Sequence, residues 1–355
     1  MEKVFKIIGI TLLSVFGLLV SCVSMELKDT EGNIIKNSMV ERNFIEIGGM
    51  QQGFFLRSEN PENPVILYLH GGPGSPELAF LYRYEKEERL EKYFTVCYWD
   101  QRGTGMSFNN SIDPSTMTLE QMVEDTRQIT EYLMRRFNKE KIYLMGHSWG
   151  TYLGIKTIEK YPENYLAYIG IGQVTNQVES ERLAYDYMLR YAMEINDRSA
   201  VRKLQKYDKN ASEFPTLEYI SNVRTPLMNK YGIGLMHGNF SMARIVRHII
   251  NFSGYTLSEK LKITRGISFS LKYLLDYFIY DNLFETSISF QVPVYILHGI
   301  YDYQVSYVLA HEYYEIIEAP DKSFYLFEYS AHSPNAEEPE RFVQIVCDIV
   351  TNIGN

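Results

Sequence analysis

Two hydrophobic rhythms divide this chain of 355 residues. Short apolar runs rich in β-branched and aromatic residues recur at 65–69, 94–99, 141–145, 165–171, 292–297 and 323–327. Runs of that length, bounded by Gly, Pro, Asn or Asp, read as strands rather than helices. Between them the period becomes 3.6. From Thr118 to Phe137, for example, Leu119, Met122, Ile129, Leu133 and Met134 fall near one helical face. Strands alternating with helices predict a mostly parallel twisted sheet with helices on both faces. Ahead of it, Asn43–Ile47 and Phe54–Arg57 are placed to pair across Gly48-Gly49 as a hairpin. From Gln173 to Phe290 the strand rhythm stops, and helical segments follow one another, among them Glu179–Ile195, Ser241–Asn251 and Leu257–Asp276. The expected organisation is an α/β core over 23–172 and 291–355, interrupted by a helical cap over 173–290.

Residues 1–22 stand apart. Met1–Lys6 is a short charged lead, and Ile7 to Val20 is nearly continuous apolar chain. That run is too short and wrongly flanked for a membrane span and has the form of a secretory leader. Leu19-Val20-Ser21-Cys22 resembles a bacterial lipobox, so lipidation of Cys22 and attachment to a membrane surface are expected. A cleaved leader releasing a secreted protein, or an uncleaved signal anchor, are the alternatives. All three put the main domain outside the cytoplasm.

Composition narrows the functions further. A net charge of -9 without a basic stripe argues against nucleic acid as partner. His311-Glu312 lacks a second histidine at zinc-protease spacing, and no phosphate loop or dinucleotide fingerprint is present. No metal and no cofactor are expected. Cys97 and Cys347 lie in apolar patterns and read as packed core thiols without a disulfide. The 29 Tyr and 19 Phe cluster in the middle third, where they could line an apolar substrate pocket or simply pack short helices.

Candidate chemistry sits where strands end. Gly146-His147-Ser148-Trp149-Gly150 joins the strand at 141–145 to a helix, the context of a nucleophile elbow with Ser148 at its apex. Val65–Leu69 runs into His70-Gly71-Gly72-Pro73-Gly74, whose glycines let backbone approach a substrate oxygen. The N–H groups of Gly72 and Trp149 are the expected oxyanion hole. Asp302 lies just beyond the strand at 292–297, and His332 beyond that at 323–327. Serine, acid, histidine is the chain order such a triad requires. His332 would take the Ser148 proton and Asp302 would fix the imidazole. Glu328, close to His332, competes as the acid.

Those segments, with Asp100-Gln101-Arg102-Gly103-Thr104-Gly105-Met106-Ser107, resemble the proline iminopeptidase-like serine hydrolases of the α/β-hydrolase superfamily. The likeness spans about Asn43 to Ile353. It implies an acyl-enzyme hydrolase, an aminopeptidase acting on short peptides or amides. It also implies that the 100–107 loop borders the site and that Arg102 is structural. Acidic cap residues grip the substrate amine in that family, and Glu179, Glu181 and Asp186 are the candidates here. The match weakens in the cap. Val246 stands where a family stretch has glutamate after Ala-Arg-Ile, and both tryptophans, Trp99 and Trp149, lie outside the cap. A carboxylesterase for small apolar esters, and a non-catalytic binding protein on the same fold, therefore remain alternatives.

Overall fold

A computed structural model of the protein describes residues 25–81, 88–238 and 241–353. Strands β1 (Met39–Ile47) and β2 (Met50–Ser58) form the hairpin, with Gly48 and Gly49 at φ 52° and 75° in the two-residue turn. There follow β3 (Val65–Leu69), α1 (Glu77–Leu81), β4 (Thr95–Trp99), α2 (Leu119–Arg136), β5 (Ile142–His147), α3 (Trp149–Lys160) and β6 (Tyr165–Ile171). Every regular element described between β6 and β7 is helical. The longer ones are α4 (Gln177–Glu194), α5 (Arg198–Leu204), α6 (Thr225–Tyr231), α7 (Met242–Asn251) and α8 (Leu257–Tyr280). The chain returns to the sheet with β7 (Val294–Gly299), α9 (Tyr307–Ile316), β8 (Lys322–Phe327) and α10 (Pro339–Ile353).

The eight strands make one sheet in the order β1-β2-β4-β3-β5-β6-β7-β8. From β4 to β8 neighbours run parallel, while β2 meets β4 antiparallel. Side-chain alternation sorts each central strand between two cores. On β3, Val65, Leu67 and Leu69 join the core beneath α2 and α3, whereas Ile66 and Tyr68 join the one beneath α10. Helix α10 supplies Phe342, Val343, Val346 and Ile349, a stripe at three- and four-residue spacing. Cys97 is buried in the first core, as its pattern implied, but Cys347 is only half-buried because it lies at the margin of the α10 stripe.

The cap has a core of its own, with Tyr185, Met188, Leu204, Phe214, Tyr219 and Met228 packed together. The middle-third aromatics are thus largely spent on packing: Phe214 and Tyr219 lie 4.7 Å apart between ring centres. Helix α8 ties cap to core. Leu274, Phe278 and Ile279 in its second half enter the core beneath α3, which is why it runs past Asp276 to Tyr280. Earlier in the same helix the Ser270 hydroxyl donates to the Gly103 carbonyl at 3.3 Å. The site loops after β3 and β4 are therefore roofed by a helix that is itself part of the core.

Candidate active site

Ser148 occupies the turn between β5 and α3 at φ 55° and ψ -121°, a backbone conformation L-residues rarely hold. Its neighbours permit it by being small. A Cβ on Gly146 would strike the Gly150 carbonyl, and one on Gly150 would strike the Leu69 carbonyl. The Ser148 N–H donates to Ile171 O at 3.0 Å, fixing the turn to the end of β6. Trp149 opens α3, so its N–H is among the first-turn donors that have no acceptor within the helix. Its fully buried ring packs on Phe278, and its indole N–H donates to Gln101 Oε1 at 2.9 Å. Gly72, at φ 118°, lies in the loop after β3, where its own Cβ would meet Gly74 N at 2.6 Å.

Asp302 and His332 meet. The His332 Nδ1–H donates to Asp302 Oδ2 at 2.7 Å, with both side chains buried. Two backbone N–H groups, of Gln304 and Val305, donate to Asp302 Oδ1 at 2.9 Å each. His298 Nε2 lies 3.1 Å from Oδ2 as well, shared with the Val305 carbonyl. Burial works against a charge on Asp302, but His332 and His298 outweigh it and hold the carboxyl well below the usual range. Glu328, the rival acid, is exposed. Burial lowers the His332 pKa despite the carboxylate beside it. With Nδ1 carrying the proton, Nε2 is a lone pair that is buried and has no hydrogen-bond partner.

No hydrogen bond joins Ser148 Oγ to that lone pair in this structure, yet the backbone brings the two residues to one place. The carbonyl holding Ser148 N–H belongs to Ile171, and a Cβ on the next residue, Gly172, would lie 3.0 Å from the His332 ring. On the other side His147, adjacent to Ser148, packs its ring against His332 with centroids 4.8 Å apart. Catalytic hydrogen bonds of this kind are often long or unformed before substrate binds.

His147 reveals a second pair that the sequence did not disclose. Its Nδ1 lies 2.6 Å from Glu77 Oε1, and its Nε2 lies 2.8 Å from the His332 carbonyl. Both partners are acceptors, so both ring nitrogens donate and the ring is an imidazolium. Burial opposes that charge, but Glu77 prevails and raises the His147 pKa; in return His147 overcomes burial and lowers that of Glu77. Glu77 also accepts from the Gly71 N–H at 3.1 Å and the Tyr68 hydroxyl at 2.9 Å. The carboxylate thereby joins the glycine loop to the elbow, and His147 carries the link on to the histidine loop. The available signal was a lone acid in the apolar stretch Pro76–Phe80, too faint without knowing that position 147 faces it.

Within the 100–107 loop, Arg102 has the structural role that the resemblance implied. Arg102 forms a buried ion pair with Asp125, at 2.7 Å, and donates to the Gly48 carbonyl at 2.8 Å. Asp100 accepts from Met106 N–H at 2.8 Å and from the Tyr255 hydroxyl of the cap at 2.7 Å. Burial is the main cause that pushes its pKa up to about 7.

The expected amine anchors each have an ion-pair partner of their own. Glu181 is buried with both oxygens on Arg224, at 2.7 and 3.0 Å, and Arg224 in turn donates to the Gln304 carbonyl beyond Asp302. Glu179 pairs with Arg182 on a solvated helix face, Asp186 pairs with Lys209, and Val246 is exposed on α7. None of these carboxylates contacts Ser148, Asp302 or His332. What the cap does bring to the site is backbone. His332 N–H donates to the Gly234 carbonyl at 3.2 Å, and Tyr303 N–H to that of Ile233 at 3.1 Å. Glu337 accepts from His237 and Gly238 of the cap through one oxygen and from Ala331 through the other. Cys22 lies outside the described residues, and among those described no cluster of side chains could hold a metal.

A family model described as the alpha/beta hydrolase fold matches residues 64–339. The chain belongs to the α/β-hydrolase family. It is 32% identical over 312 residues to a probable aminopeptidase, YbaC, of Bacillus subtilis, covering 86% of this chain and 95% of that one. A proline iminopeptidase of Heyndrickxia coagulans is 22% identical over 342 residues, covering 89% of this chain and 100% of its own length. The crystal structure of a Mycobacterium smegmatis proline iminopeptidase superposes with a TM-score of 0.65 at 14% identity, over 88% of this chain and 98% of the other. This α/β hydrolase therefore resembles the iminopeptidase group along nearly its whole described length.

Proposed function

We propose that this hydrolase is a serine aminopeptidase that releases N-terminal residues from short peptides or amides through an acyl-enzyme. The observation that carries the reading is the His332 ring, held by Asp302 at 2.7 Å, with its buried Nε2 lone pair unused beside the Ser148 elbow. Ser148 Oγ attacks the carbonyl carbon while its proton passes to His332 Nε2. The developing oxyanion is received by the N–H groups of Gly72 and Trp149. His332 then returns the proton to the departing amine, leaving an ester on Ser148. Water, deprotonated by His332, attacks that ester, and Ser148 leaves as the regenerated alcohol. The names of the relatives favour peptide substrates.

One observation favours a second reading, a carboxylesterase. The cap carboxylates nominated for the amine are engaged elsewhere, and the Val246 position is apolar. Ser148→Ala is expected to abolish labelling by a fluorophosphonate and to lower turnover by at least about a thousandfold. Wild-type protein that resists the probe under conditions where a known serine hydrolase reacts would leave the binding-protein alternative in place. Alanine and proline arylamides, with and without a blocked amine, then separate the two enzymes. Faster turnover of the blocked forms, or of short acyl esters, decides for the esterase.

For the leader, we propose that Cys22 is lipidated and holds the protein at a membrane. Support comes from the apolar run Ile7–Val20 and the small residues before the cysteine. Labelled palmitate is expected to enter the wild type and not Cys22→Ala; equal incorporation overturns it.

A further inference from the structure

Helices α7 and α8 carry an apolar and basic face that the proposed chemistry does not use. On α8, Leu257 and Leu261 are one turn apart and 61% and 69% exposed. On α7, Met242 and Val246 are likewise one turn apart and exposed. The two helices are clipped together, because Lys260 Nζ donates to the Ile250 carbonyl at 2.6 Å. The connecting turn is fixed to the sheet by Arg42, which donates to the Gly254 carbonyl and pairs with Glu259 at 2.5 Å. These leucines are therefore presented on a held scaffold.

Charge and chain path say what covers them. Residues 241–272 contain Arg244, Arg247, Lys260, Lys262, Arg265 and Lys272 against a single acid, Glu259, in a chain whose net charge is -9. The basic positions are too scattered in sequence to form a stripe, and folding gathers them on two neighbouring helices. Apolar side chains interleaved with Lys and Arg fit the boundary of an anionic bilayer, which would repel the rest of this acidic molecule. The chain path agrees. Met25 is partly buried in the core that includes Phe252, and a Cβ on Gly254 would lie 2.7 Å from its Sδ. Cys22 is three residues earlier, so no more than about 10 Å of extended chain separates it from Met25. Whatever holds Cys22 or the run before it in a membrane holds the turn between α7 and α8 near that membrane.

We infer that the α7–α8 face docks on an anionic phospholipid surface, with Leu257, Leu261, Met242 and Val246 entering the headgroup boundary and the Arg and Lys residues lying on phosphates. The cap thus faces the lipid while the amino ends of the strands face away. The inference goes beyond the hydrolase reading and does not need it: Ser148→Ala is expected to dock like wild type. Full chain carrying a fluorophore at Leu261→Cys, in a Cys347→Ser background, is reconstituted with vesicles of phosphatidylglycerol and phosphatidylcholine containing spin-labelled lipid. A second probe at Glu140→Cys, exposed just before β5 at the amino ends of the strands, is the control. Quenching is expected at 261 and not at 140. Combining Arg247→Glu, Lys262→Glu and Arg265→Glu should reduce it at least about threefold while leaving turnover of a water-soluble substrate in place. Equal quenching at both positions, or quenching that ignores the charge reversal, overturns the assignment. So does concentration-dependent dimerisation that hides position 261 without lipid, which would give the face to a second copy.

Discussion

A neutral His332 beside a charged His147 is the arrangement on which the proposed chemistry most depends. The imidazolium, fixed between Glu77 and the His332 carbonyl, disfavours a second positive charge on a ring 4.8 Å away. Burial and that repulsion keep the His332 base unprotonated to lower pH than a free histidine. The acid limb of kcat/KM is therefore expected below the ordinary value of about 6.5. Removing the charge with His147→Gln should move the limb to higher pH and reduce kcat, with KM changed less. A limb that stays put would show that His147 acts only in packing. Little of this was legible from sequence. Ser148 was, because only glycine fits at 146 and 150 and glycine spacing is written in the chain. Asp302 was the acid read from its loop beyond the strand at 292–297, with Glu328, four positions before His332, left as its rival. Two backbone N–H groups and two imidazoles converge on the Asp302 carboxylate, whereas Glu328 is exposed. Glu77 and His147 are 70 positions apart and carry no local signature.

Among the elements, the strands were the most legible, since runs buried on both faces need apolar residues at every position. The observed limits of β3 and β6 coincide with their apolar runs, and β1 extends beyond its own because an edge strand tolerates polar residues such as Glu41 and Arg42. Cap helices were harder: α5 and α6 are each 7 residues long, too short for a period to emerge. The tie between the turn before α8 and the 100–107 loop yields a measurable consequence. Asp100, bonded to Tyr255, has its pKa raised by burial from about 3.9 in an unfolded chain to about 7 in the folded one. The folded state then holds the extra proton, so this contribution is full below the unfolded value and is lost as pH rises through about 7. Wild type should show a fall in melting temperature from pH 5 to 8 that Asp100→Asn lacks. Parallel curves for the two proteins would remove Asp100 from the account.

At the scale of the whole molecule, cap and sheet are joined through polar contacts as well as apolar ones. The buried Glu181–Arg224 pair sits on the cap side of the Asp302 loop, through the Gln304 carbonyl. Arg224→Met strands a buried carboxylate and is expected to cost about 3–5 kcal/mol in denaturant unfolding. Glu181→Met combined with Arg224→Met should recover much of that loss, whereas simple additivity would argue that the two residues do not act as a pair. The overall architecture was readable because its alternation of strand and helix is global, while the fastening of cap to sheet runs through carbonyls that no side-chain pattern encodes. Residues 232–238 illustrate what that fastening entails. They accept the His332 N–H and share Glu337 with Ala331, so the loop that carries the imidazole and this cap segment are fastened to each other. On the proposed chemistry, the place of the general base therefore depends on residues 232–238 staying where the cap holds them.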